Sequence, residues 1–150
     1  MTLDEIDRAL LQALSRNAEQ STRQLGERFG LSQPATWRRI RRLEEAGVIK
    51  GRRLLLDAEK AGFGVTVFLG IKLATKGRLS LDDFERAVGA IPEVQIVTHV
   101  LGLYDYRLRV VARDLADFER VLRRRIMTLP GVGDVEANVL LSEERRPGPL

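Results

Sequence analysis

Arg38, Arg39, Arg41 and Arg42 crowd into five consecutive positions, interrupted only by Ile40 and preceded by Trp37. A guanidinium is a planar fork of N–H donors that pairs with phosphate oxygens or with the acceptor edge of guanine. Four of them together make either a solvated helix face or a surface for a polyanion. The surrounding charge favours the polyanion. Residues 33–53 hold seven cations, the four arginines with Lys50, Arg52 and Arg53, against only Glu44 and Glu45. The whole chain carries +4, so the rest is close to neutral. Clustered positive charge is the electrostatic footprint of nucleic-acid binding. A merely solvated helix more often mixes lysine and glutamate on its outer side.

A second constellation lies in "HVLGLYDYRLRV". Gly102 permits close backbone approach, and Asp105 follows three residues on. Turn N–H groups can hold a carboxylate and an aspartate can hold an ammonium, which together suit an amino-acid zwitterion. An ordinary hairpin uses glycine and aspartate in the same places, and spacing alone favours the hairpin. Other chemistry has little to build on. There are no cysteines and one histidine, His99, so neither a disulfide framework nor a metal site is expected. The serines read as caps and turns, and no phosphate-binding glycine loop appears.

The arginines need a helix to present them. Thr2 and Glu5 have capping-box spacing before Leu3, Ile6, Leu10 and Leu14, which predicts an amphipathic helix over 3–15. Ser21 and Gln24 open a second helix that runs to Phe29, and Gly30 suits its end. Ser32 caps a third, with Pro34 tolerated in its first turn, and Gly47 stops it. Two short helices joined by "GLS" form a helix-turn-helix unit. At roughly 100° per residue, Ile40, Leu43 and Thr36 face inward. Pro34, Ala35, Arg38, Arg41 and Arg42 face outward, and Trp37 reads as a boundary packing residue. The helix start, with Ser32, Gln33 and Ala35, suits close approach to a groove. After Gly47, "VIKGRRLLL" predicts a strand and turn, a small wing whose Lys50, Arg52 and Arg53 could reach phosphate. Gly62 and Gly64 mark a boundary, giving regions 1–62 and 63–150.

The second region predicts strands at 65–75, 94–101, 106–112 and 132–141. A helix capped by Ser80 and another capped by Asp114 lie between them. "FER" at 84–86 and at 118–120 each precede apolar-Pro-x-Val-x-x-Val, the second after four extra residues. A β-α-β unit is thus written twice, giving the ferredoxin-like βαββαβ order and an α+β fold class. The helices cover one sheet face. Apolar residues left on the other predict self-association. Arg123, Arg124 and Arg125 read as a solvated face. No apolar run approaches the roughly 20 residues of a membrane span, and the amphipathic start is unlike a signal peptide, so a cytoplasmic location is expected.

Taken together, "LDEIDRALLQAL", "LGERFGLSQPATWRRIRRLEEAGVIKG" and "GLYDYRLRV" resemble the Lrp/AsnC (feast/famine) family of transcriptional regulators across nearly the whole chain. The resemblance implies an N-terminal winged helix-turn-helix joined to a C-terminal ferredoxin-like ligand-sensing domain. It implies double-stranded DNA as a partner, with Ser21 and Arg23 joining Ser32, Gln33, Pro34, Ala35, Arg38, Arg39, Arg41, Arg42 and the wing cations. It also implies a small amino-acid effector at Gly102, Leu103, Tyr104 and Asp105, and homodimers that assemble further, commonly into octamers. No cofactor and no enzymatic activity are expected. A rival of the same two-domain layout is the siroheme decarboxylase, in which His99 with Arg107 or Arg109 would attend a tetrapyrrole. A second rival is a helix-turn-helix used only for protein partners, which would require an apolar outer side rather than an arginine-rich one.

Overall fold

The computed structural model describes residues 1–74, 77–146 and 148. Two compact units emerge, Met1–Leu55 with the end of the chain, and Leu56–Glu143.

Three helices build the first unit: α1 (Glu5–Arg16), α2 (Thr22–Phe29) and α3 (Gln33–Glu45). Leu10, Ala13, Leu25 and Ile40 form its core, flanked by Ile6, Leu14, Phe29, Leu31 and Ile49. Leu43 and Thr36 are also buried. The capping box of α2 is the expected one, with Ser21 and Gln24 each accepting the other's backbone N–H. Gly30 ends that helix in the left-handed region at φ 67°. Gly26 lets the turn close. A Cβ there would stand 2.6 Å from the carbonyl oxygen of Leu31 and 3.0 Å from Thr36 Oγ1.

Two expectations for this unit are corrected. The box of α1 is Asp4 with Asp7, not Thr2 with Glu5. Both pairs have the right spacing, but Asp7 is anchored by contacts from α3, described below. The wing strands do not form. Residues 50–57 carry no ladder, and Leu54, Leu55 and Leu56 stand 84%, 80% and 77% exposed. A hairpin without a face to bury is marginal by itself.

The second unit is an antiparallel sheet of β1 (Val65–Leu73), β2 (Val94–His99), β3 (Tyr106–Ala112) and β4 (Val132–Val139), in the order β2-β3-β1-β4. Helices α4 (Arg78–Val88) and α5 (Leu115–Val121) join the strands, and a π-helical turn at Leu122–Ile126 extends α5. The helix begins at Arg78 rather than after Ser80, and Gly77 supplies no side-chain cap. The sequence echo has a packing meaning. Phe84 and Phe118, and Ile91 and Leu129, are buried in the same core, while Val94 and Val132 pack against it. The four extra residues of the second copy are taken up around the π-helical turn.

Val67, Leu69, Ile71 and Leu73 of β1, with Tyr106, Leu108, Val110 and Ala112 of β3, form the helix-covered face. The opposite face is more polar than expected. Residues opposite one another across the ladder share a face. Phe68 therefore stands with Arg109 and Asn138, and Gly70 with Arg107 and Glu136. Apolar exposure on that face lies at its β2 edge, at Ile96 opposite Arg109, and it continues off the face at Val97 and into the following loop at Leu101 and Leu103.

Candidate nucleic-acid interface and effector loop

Ser32 starts α3 by accepting the N–H of Ala35 through its hydroxyl, at 3.3 Å. Thr36 donates its own hydroxyl back to the Ser32 carbonyl, which pins the first turn. Gln33 and Pro34 are exposed and Ala35 is half-buried. Ser21 is exposed, with its side chain occupied in the α2 cap. Arg23 pairs with Glu27 on the surface of α2 at 3.1 Å.

The seven cations of 33–53 divide into two groups. Arg39 Nη1 lies 2.7 Å from Asp4 and 2.8 Å from Asp7, and Arg42 Nη2 lies 2.6 Å from the other oxygen of Asp7. Arg41 spans loosely to Glu44 and Glu45 at 3.7 Å, and Arg52 reaches Glu44 at 3.3 Å. Arg38, Lys50 and Arg53 are exposed and make no ion pair among the described residues. The outward group expected from the helix wheel is thus only partly free. Arg42 is half-exposed yet bound to α1, and Arg39 is turned towards it. Exposed pairs such as those of Arg41 contribute at most about 1 kcal/mol and exchange readily for a phosphate. Trp37 is 54% exposed, with the Arg41 guanidinium 5.8 Å from its ring centre, so it covers less core than a boundary residue should.

Asp7 is the residue that the charge count overlooked. Its side chain has no exposure, and its two oxygens serve two different arginines. The Asp7 backbone N–H, followed by the Arg39 guanidinium, holds the Asp4 carboxyl below its usual range. Asp7 is buried on α1 together with Leu10 and Ala13, so an acid stands in the helix's apolar stripe. A carboxylate placed there demands a cationic partner. Beside this network an open hollow of about 270 Å³ is lined by Ala35, Arg38, Arg39 and Arg42.

The loop Gly102–Asp105, the candidate effector site, is stitched to β1. The Asp105 N–H donates to the Ile71 carbonyl at 2.8 Å, and its carboxylate accepts the Leu73 N–H at 2.8 Å. One acidic oxygen expected to meet an ammonium is therefore engaged by backbone. Tyr104 lies across Gly70, where a Cβ would come within 2.8 Å of its ring. Its hydroxyl donates to Glu136, which raises the phenol's pKa and lowers that of the carboxyl. Gly102 has open space around it, and Leu103 is 72% exposed.

The tetrapyrrole grouping does not assemble. His99 stacks on Tyr106 at 4.7 Å, on the helix-covered side. Arg107 and Arg109 alternate to the opposite side, where Arg107 covers the Tyr104 ring and Arg109 binds Glu143 at 2.8 Å.

Known proteins agree with this geometry. Residues 3–50 match the winged helix-turn-helix DNA-binding family, and residues 66–150 match the Lrp/AsnC ligand binding domain. The proline dehydrogenase transcriptional activator of Rhizobium radiobacter is 34% identical, over 97% of this chain and 94% of its own. The leucine-responsive regulatory protein of Haemophilus influenzae is 33% identical, over 96% and 87%. The structure of a Neisseria meningitidis transcriptional regulator in complex with L-Met superposes with a TM-score of 0.91 at 29% identity, covering 99% of this chain and 96% of that one. With the cationic third helix, the sensing-type second unit and these matches in hand, the chain belongs to the Lrp/AsnC family of DNA-binding transcriptional regulators and is not an enzyme.

Proposed function

We propose that this regulator reads duplex DNA through the start and outer side of α3, and changes its DNA affinity when an amino acid binds near Gly102–Asp105. Residues 1–62 would form the DNA-binding region with its linker, and 63–150 the effector-binding and oligomerisation region. The observation that carries the DNA assignment is Arg38. It is exposed and unpaired among the described residues, one turn beyond exposed Gln33 and Pro34. In that arrangement α3 offers N–H groups and side chains to a major groove. Ser21, Ser32, Ala35 and the cations Arg23, Arg39, Arg41, Arg42, Lys50, Arg52 and Arg53 would supply phosphate contacts around it.

For the effector, the exposed turn at Gly102–Leu103 offers backbone donors to a carboxylate. The relatives support an amino acid, since one is named leucine-responsive and another was crystallised with L-Met. The half-open loop would be completed by a second copy in a dimer that assembles further, in the manner of an octamer. A cytoplasmic location fits a DNA-binding protein. Among the described residues, no helix is long and apolar enough to cross a membrane.

A thermal-shift screen of the twenty common amino acids tests the effector reading, because ligands that bind the folded state raise its stability. One or more amino acids should raise the melting temperature, and Asp105→Asn should weaken that response. Asparagine keeps an oxygen for the Leu73 N–H, so it separates lost charge from lost structure. An undiminished response in Asp105→Asn would place the site elsewhere.

A further inference from the structure

Four residues form one row across the polar face of the sheet. Thr98 of β2 stands opposite Arg107 of β3, Arg107 opposite Gly70 of β1, and Gly70 opposite Glu136 of β4. Side chains in such a row point to the same side. Gly70 contributes none, so the row has a gap, with a cation on one flank and an acid on the other. Tyr104 folds back from its loop and fills that gap. A Cβ on Gly70 would stand 2.8 Å from two of its ring atoms and 3.0 Å from a third. The Arg107 guanidinium lies 5.6 Å from the ring centre. The hydroxyl donates to Glu136, which the Asn138 amide also approaches at 3.4 Å. The sheet thus builds a slot for a single aromatic side chain.

The slot divides the loop in two. Tyr104 and Asp105 are half-buried and held, the first by the slot and the second by the backbone of Ile71 and Leu73. Leu101, Gly102 and Leu103 are exposed, and the glycine has open space around it. A segment anchored at one side presents its backbone donors in a fixed direction, so less freedom is lost when a ligand meets them. We propose that Tyr104 is a strut that sets the direction of the Gly102 and Leu103 N–H groups, and that Gly70 and Glu136 are positioning residues that act on the effector through it. This role rests on the reading of Gly102–Asp105 as the effector site.

Isothermal titration calorimetry of the full chain tests the strut, with each of the twenty common amino acids as a probe. The one that binds the parent most tightly is then carried to the variants. Tyr104→Phe keeps the ring and loses the hydroxyl, and Glu136→Ala loses the acceptor. Each should weaken binding about two- to tenfold, the effect of freeing one side chain that binding must then order. The two together should weaken it no more than either alone, because they break the same contact. Additive losses would mean that the side chains act separately and would overturn the link. Glu136→Gln keeps an oxygen for the hydroxyl and should restore most of the affinity. Gly70→Ala pushes the ring from its slot and should weaken binding at least as much as Tyr104→Phe.

The melting temperature without amino acid separates positioning from mere support. A lower melting temperature with unchanged affinity would make the strut purely structural and overturn the proposal. Tighter binding in Gly70→Ala or Tyr104→Phe would make the ring a gate and overturn it too. Tyr104→Phe, which removes one oxygen from a half-buried side chain, carries the test if the other variants fail to fold. If Asp105→Asn weakens binding and these variants do not, the strut alone fails. If no amino acid binds the parent, or Asp105→Asn binds undiminished, the effector reading fails and the strut with it.

Discussion

Asp7 has a guanidinium on each oxygen and no solvent, and this makes its network asymmetric. Removing the acid leaves Arg39 and Arg42, whose side chains are 26% and 51% exposed and can be hydrated. Removing both arginines leaves a carboxylate with no exposure and no cation. The second loss should dominate. We expect Arg39→Ala combined with Arg42→Ala to destabilise the chain by about 3–5 kcal/mol, the usual result of stranding a buried charge. Asp7→Ala should lose about 1.5–3 kcal/mol, the value of hydrogen bonds to charged groups. Urea unfolding of the three proteins checks the order, and a larger loss in Asp7→Ala would contradict it. The same network explains what a local charge count misses. Residues 33–53 look strongly basic, but the acid that binds Arg39 and Arg42 stands 32 to 35 positions earlier. No window along the chain contains both partners. The one readable sign was an acid placed in the apolar stripe of α1.

At the scale of elements, features legible from the sequence were those whose partners are close in the chain. The Ser21–Gln24 box, the Ser32 and Asp114 caps and strand β3 stand where their residues predict. The doubled FER segments fell into equivalent core positions because each copy carries its own spacing. Where two local patterns competed, tertiary contacts decided. The box is Asp4 with Asp7 rather than Thr2 with Glu5, and the same Asp7 binds Arg39 and Arg42. The wing needed a partner strand, which nearby residues cannot announce. Helix starts also govern the response to acid. Asp4 caps α1, and its carboxyl is held low by the Asp7 N–H and then by Arg39. Asp117, in the first turn of α5, is held low by the Arg113 side chain, then by the Arg113 N–H and Arg120. Both acids bind a proton less readily folded than unfolded. Their stabilisation is therefore fully present above the unfolded carboxyl value, about 4, and is lost as pH falls below it. The urea midpoint should stay flat from about pH 7 to pH 5 and drop below about pH 4. Asp117→Asn should show a smaller drop, and an equal one would remove Asp117 from this account.

For the molecule as a whole, the exposed apolar side chains bear on association. The bare sheet face carries Arg107, Arg109 and Glu136 rather than a continuous apolar patch. Exposed Ile96, Val97, Leu101 and Leu103, with the three exposed leucines at 54–56, are better placed to be covered by another copy. Apolar patches of that kind mark interaction surfaces. Native mass spectrometry of the full chain should show an even-numbered assembly, and Leu55→Glu or Ile96→Glu should reduce it. A monomer at micromolar concentration would contradict this. The expectation of self-association comes from a four-stranded sheet with helices on one side, which leaves surface over. The polar character of the bare face was not legible, since alternation alone cannot tell an arginine folded along a sheet from one reaching into water.

The start of β1 and the close of β4 are joined by a hydrogen bond from the Leu140 N–H to the Thr66 carbonyl, at 2.9 Å. The polypeptide thus arrives at the sheet and departs from it through a single doorway. Everything in between is a closed circuit, and such a circuit can be lifted out and plugged into a different carrier without cutting a strand. Swapping sensors between regulators would then require only two splice points, lying side by side.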